Sequence, residues 1–257
     1  MADRYCVSVF ATDRLEGTTA VVFCLNESLS KEQMQEIALE ENVPATCFVQ
    51  QINNDVFNIH FFNSTHEIQL CGHGLLASAW VLAEKGFKVF QFRTIHTQVM
   101  AKVEGDGSVW LEFHELKAEP AKIPSWADDC LSSQPLTAYK AGASDGYWIM
   151  EWPEDFQLSK LQVDGGALKR STNRALIATQ KSTNRDYDYC FRYFAPQHGV
   201  TEDKATGSAH RVLISYWYHK LGQSKVTARQ LSKEGAELNG KFVHGAVWIS
   251  GNVTIRR

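Results

Sequence analysis

Apolar positions recur mostly with period two, in short runs broken by Gly, Asn and Asp; only a few stretches carry the three-to-four spacing of a helix. In the first half, residues 5–11 and 20–25 are β-rich. A helix is predicted next, with Ser30 as N-cap, Gln33 completing a capping box, and Met34, Ile37 and Ala38 as its apolar stripe. Strands are predicted over 46–51 and 56–62, around the turn Asn53-Asn54-Asp55, and over 67–70. A helix is predicted from about Gly74 to Lys85, stopped by Gly86. Strands over 88–93, 98–103 and 108–113 follow, and Gly105-Asp106-Gly107 makes the last pair a hairpin.

The stretch 117–133 carries Pro120 and Pro124 and breaks the pattern, so a boundary is placed there, giving domains 1–117 and 118–257. The second half is predicted to hold strands over 136–140 and 147–152, and a helix from Pro153 or Glu154 to Gln162. Strands over 174–179 and 187–194, a helix over 208–220 and strand-like segments from 226 to 255 follow. Both halves thus run strands, helix, strands, small-residue turn, long helix, strands. Aligning Gly74 with Gly207 pairs His73 with Thr206 and Cys71 with Lys204. This is the pattern of a diverged duplication, and it predicts two similar α/β domains facing each other across a cleft.

Composition narrows the function classes. The 257 residues are 44% hydrophobic and 21% charged, which excludes a disordered, collagen-like or disulfide-miniprotein chain. Lys+Arg 26 against Asp+Glu 29 gives a net charge of −3, so no whole-surface attraction draws nucleic acid or anionic membrane. The first residues do not read as a signal peptide, and no apolar run approaches the roughly 20 residues of a membrane span. Six scattered cysteines without a C-x-x-C pair fit a reducing, cytoplasmic location.

The two small-residue turns are the candidate chemistry. A helix start leaves backbone N–H groups unpaired and carries partial positive charge, and small residues let a ligand approach them. Two such starts can grip a small anionic metabolite. Gly72-His73-Gly74-Leu75-Leu76-Ala77 imitates a dinucleotide fingerprint, but the following strand offers Arg93 and Thr94 where an acidic residue is required, so nicotinamide and flavin binding are rejected. No zinc-protease, nucleophile-elbow or phosphate-loop motif is present. His73 lies in the first turn, where an imidazole can donate or shuttle a proton. Asp203 lies at the mouth of the second, as a catalytic carboxyl or a cap.

At these residues the chain resembles the PhzF-like (phenazine-biosynthesis-like) isomerase family, relatives of diaminopimelate epimerase. Arg192-Tyr193-Phe194-Ala195-Pro196, Gly199, and Glu202 through His210 are similar to the family's R-x-F-A-P…G…E-D-x-A-T-G-S-A-H signature. Leu70-Cys71-Gly72-His73-Gly74 is similar to its L-C-G-H-A-T segment, and Val9-Phe10-Ala11-Thr12-Asp13 also fits. The resemblance implies an α+β fold: two similar domains, each a β-sheet or barrel rolled around a central helix, with the active site in the cleft. It also implies a cofactor- and metal-independent enzyme, often homodimeric, that moves a proton on a small carboxylate-bearing metabolite. By resemblance, His73 and Asp203 fall on polar active-site positions. Gly72, Gly207 and Ser208 fall on substrate-contacting ones, and Gly74 and Thr206 in the same turns complete the expected substrate-binding set.

Three departures stand out. The family base is a glutamate in N-x-S-E-T-x-F; here Asn42 through Phe48 place Ala45 there. Gly17-Thr18-Thr19-Ala20 replaces G-N-P-A, and Lys204 replaces a small residue or proline. Three readings compete: Cys71 and Lys204 as the acid–base pair, Asp203 and His73 as that pair, or a small-carboxylate binder without turnover, acting as sensor or pseudoenzyme.

Overall fold

The computed structural model describes residues 2–256. It forms two compact units: the chain up to Phe113 together with Trp248 onward, and His114–Val247. The chain opens with β1 (Asp3–Val9), β2 (Thr18–Leu25), α1 (Lys31–Glu41), β3 (Ala45–Asn53), β4 (Val56–Phe62), β5 (Glu67–Ile68), α2 (Gly72–Glu84), β6 (Val89–Arg93), β7 (Gln98–Val103) and β8 (Val109–His114). Next come β9 (Ala118–Ala121), α3 (Ala127–Cys130), β10 (Thr137–Ala141), β11 (Tyr147–Glu151), α4 (Gly165–Ser171), β12 (Ala175–Lys181), β13 (Tyr189–Phe194), α5 (Gly207–Leu221), β14 (Lys225–Gln230) and β15 (Ala236–Val243). The strands β16 (Ala246–Ser250) and β17 (Val253–Ile255) end it.

In the first unit β1 pairs antiparallel with β2, β2 parallel with β3, β3 antiparallel with β4, β4 parallel with β6, and β6 antiparallel with β7. A parallel pair needs a long crossover. The helices α1 and α2 supply the two crossovers. In the second unit β10 through β15 pair in the same sequence of senses, with α4 and α5 as crossovers. The capping box at Ser30 is formed as the sequence predicts. A helix that is apolar on all sides must be buried. Such is α2, with Leu75, Leu76, Ala77, Ala79, Val81 and Leu82 all buried against β2 and β3. Similarly, α5 packs on β14 and β15. Among the described residues no helix is long and apolar enough to cross a membrane.

Two expectations need correction. The last strand does not stay with a contiguous second domain: β17 pairs with β1, Val253 opposite Val9. The helix expected over 153–162 is a single 3₁₀ turn, Leu158–Lys160. Leu158 and Leu161 are both buried, a spacing of three that fits 3₁₀. The guanidinium of Arg192 takes the carbonyls of Leu158 and Leu161 at 3.2 and 2.5 Å, so these acceptors are satisfied without a continuing helix. The helix forms later, at α4, where the Asp164 carboxylate caps the Ala167 N–H at 2.9 Å despite Gly165 and Gly166 in its first turn.

His210 on α5 is fully buried, and its Nδ1 lies 2.6 Å from the Tyr189 hydroxyl. Burial lowers its pKa to about 3, so it folds neutral. The unfolded chain takes up a proton near pH 6.5. The stability this group contributes is therefore complete above that pH and is lost as pH falls toward 3. Wild type should lose up to about 1.4 kcal/mol per pH unit more than His210→Gln between pH 6.5 and 4.5 in urea unfolding. Equal pH slopes for the two proteins would refute this.

Candidate functional site

The first turn is built around sulfur. Cys71 is the N-cap of α2, with φ −125° and ψ 103°, and its Sγ accepts the Gly74 N–H at 3.4 Å. Helix N-caps are usually Ser, Thr, Asp or Asn. Here the cap is a thiol, at the positive end of the helix. Cys71 is buried and its Sγ is 3.4 Å from His73 Nδ1. Behind it, on β3, the fully buried Cys47 donates to the Gly74 carbonyl at 3.6 Å. A Cβ on Gly74 would lie 2.9 Å from Cys47 Sγ, 2.9 Å from Phe61 Cδ1 and 3.1 Å from Cys71 Sγ. A larger residue there would have to push these side chains aside.

Desolvation sets the protonation of this cluster. It draws His73, partly exposed at its edge, down to about 4, so the imidazole is neutral at physiological pH. It pushes Cys47 well above the usual thiol range, with proximity to Cys71 adding to the effect, so Cys47 stays protonated. Ala45 opens β3 and is fully buried. Of the nearby glutamates, Glu40 is exposed, and Glu41 is held by Arg4 at 2.6 Å through both oxygens.

The second turn is built around a carboxyl. Asp203 Oδ1 accepts the Lys204 N–H at 2.8 Å, and Oδ2 accepts the Thr206 hydroxyl at 2.7 Å. Burial pushes the Asp203 carboxyl above the usual range, against the pull of Thr206 and the amides of Lys204 and Ala205. Thr206 is the N-cap of α5, Gly207 its first residue, and Ser208 is half-buried beside it.

Lys204 lies apart from this chemistry. Its side chain is 51% exposed and its Nζ pairs with Glu234 Oε1 at 2.9 Å. The pairing of Cys71 with Lys204 also fails on register. Helix α2 starts at Gly72 and α5 at Gly207, so the residue matching Cys71 is Thr206, and His73 matches Ser208.

Sequence reading missed three supporting residues. Arg192 clamps Glu202 bidentately, at 2.7 Å through each oxygen, while bonding the 158–161 turn. The backbone carbonyl of Tyr193 accepts the Asp203 N–H at 3.1 Å. The Gln230 amide bonds both Asp203 and Thr206. For Arg192 the signal was present, a charge inside an otherwise apolar strand; Gln230, a lone amide at a strand end, gives none. Among the described residues no three His, Cys, Asp or Glu side chains are grouped to hold a metal ion.

Comparison with known proteins places the chain. An uncharacterized isomerase of Halalkalibacterium halodurans is 32% identical over 98% of this chain and 96% of its own. The crystal structure of a phenazine biosynthesis protein PhzF family member from Enterococcus faecalis superposes with a TM-score of 0.89 at 27% identity, over 100% of this chain and 98% of that one. A hydroxyproline epimerase from Agrobacterium vitis shares the fold alone, with a TM-score of 0.59 at 10% identity, covering 100% and 91%. Residues 7–242 match the family described as phenazine biosynthesis-like protein, and the chain therefore belongs to that family.

Proposed function

We propose that this protein is a cofactor-independent isomerase or epimerase that moves a proton on a small carboxylate-bearing metabolite. The observation that carries this reading is the Cys71–His73 contact at the start of α2, with Asp203 accepting the hydroxyl of Thr206, the N-cap of α5. The substrate carboxylate would bind the N–H groups of Gly72 and His73 or of Gly207 and Ser208. Cys71 acts as the thiolate: it takes a proton from the adjacent carbon and becomes the thiol, hydrogen-bonded to the neutral His73 ring at 3.4 Å. The electron pair is held in the conjugated carboxylate. Asp203, protonated more readily than an ordinary carboxyl, returns a proton to carbon. Lys204, paired with Glu234, lies outside this scheme.

Ala45 supports a second reading, a carboxylate-binding protein without turnover, because no carboxylate stands where the family base is expected. Proton exchange separates the two. Incubation in deuterated water with a panel of small amino, hydroxy and unsaturated carboxylic acids should show one acid losing its proton signal at a single carbon by NMR. An acid that raises the melting temperature yet keeps every carbon-bound proton would establish the binder instead.

A further inference from the structure

Gln230 ends β14 and is fully buried. Its Oε1 accepts the Thr206 N–H at 2.7 Å, and its Nε2 donates to the Asp203 carbonyl at 2.6 Å and to Thr206 Oγ1 at 3.1 Å. The partners fix which way the amide points. The Thr206 N–H can only donate and the Asp203 carbonyl can only accept. A threonine hydroxyl has one proton. Since Thr206 Oγ1 accepts from Gln230, that proton is free to go to Asp203 Oδ2, 2.7 Å away.

We propose that Gln230 is a positioning residue that fixes the direction of the Thr206 hydroxyl, so that its proton is delivered to Asp203 Oδ2 and supports the carboxylate once Asp203 has given up its own proton. This rests on the reading of Asp203 as a proton-transfer group. Besides Thr206, the groups facing Asp203 are Tyr193 from β13 and Glu234 from the loop after β14, whose charge pairs with Lys204. Gln230→Glu removes the donor to Thr206 and offers a carboxylate that competes for the hydroxyl proton. Asp203 then loses a bond to its charged form and gains a like charge, and both effects raise its pKa.

The test is a pH titration of the Asp203 carboxyl carbon by NMR on the full protein, with ¹³C-aspartate labelling and Asp203→Asn for assignment. It needs no substrate. The midpoint should rise by about one pH unit or more in Gln230→Glu and in Thr206→Val, and return to the wild-type value in Thr206→Ser. If Gln230→Glu does not fold, Gln230→Met keeps the length, removes the polar atoms and should shift the midpoint the same way. Midpoints within about 0.3 unit of wild type in the folded Gln230 variants overturn the proposal. A shifted midpoint with unchanged proton exchange leaves it standing and overturns the catalytic reading of Asp203.

Discussion

Asp203→Asn should lower substrate proton exchange by roughly 10²- to 10⁴-fold, the range a positioned acid or base contributes, while leaving the melting temperature within a few degrees of wild type. The substitution is close to isosteric. An asparagine oxygen can still accept either the Lys204 N–H or the Thr206 hydroxyl, which approach the aspartate at 2.8 and 2.7 Å. What is removed is the ability to carry a proton. Cys71→Ser is the companion variant: serine still caps the Gly74 N–H, so α2 keeps its start, but the hydroxyl is a far weaker base. A loss of similar size in each single variant, with no further loss in the double, marks two residues acting in one proton transfer. Asp203 also sets a pH signature. Burial raises its pKa, so if the protonated form delivers the proton, activity falls as pH rises through a value above the ordinary 3.8. Exchange that survives Asp203→Asn within threefold would remove Asp203 from the mechanism.

Much of this site was legible because turn chemistry is local. Glycines beside polar residues before an apolar helix marked both turns, and Ser30 with Gln33 marked the start of α1. What escaped was set by distant partners. The pattern over 153–162 reads as helical, yet Arg192, more than thirty residues on, takes its carbonyls and leaves one 3₁₀ turn. Gly165 and Gly166 argue against a helix, yet Asp164 caps one there. The Cys71–Lys204 match failed for a register reason. Aligning glycines shifted the helix starts by two residues, and only the positions of Gly72 and Gly207 reveal the offset. The exposure of Lys204 is likewise invisible in sequence, because its partner Glu234 comes from the loop after β14.

Gly17→Ala should destabilise the fold by about 3–5 kcal/mol, which for a chain of this size lowers the melting temperature by roughly 10 °C. Two costs combine. Gly17 sits at φ +62°, where a side chain is strained. Its Cβ would also lie 2.1 Å from the Val9 carbonyl oxygen and 2.8 Å from the Ala11 nitrogen. These are backbone atoms and cannot rotate away. Nor can that backbone retreat easily: Phe10 is fully buried with its own φ at 62°, its N–H is held by the Asn252 carbonyl at 2.7 Å, and the Asn252 amide holds the Ala11 carbonyl at 2.9 Å. Gly107→Ala isolates the first cost. Gly107 has φ +85° but nothing within 4 Å of its would-be Cβ, so alanine there should cost only about 1 kcal/mol. The difference between the two variants, read by thermal or urea unfolding, measures the backbone clash alone. If Gly17→Ala melts within a degree or two of Gly107→Ala, the segment around Phe10 yields freely, and the tight packing of Gly17 against the end of β1 contributes nothing to the fold.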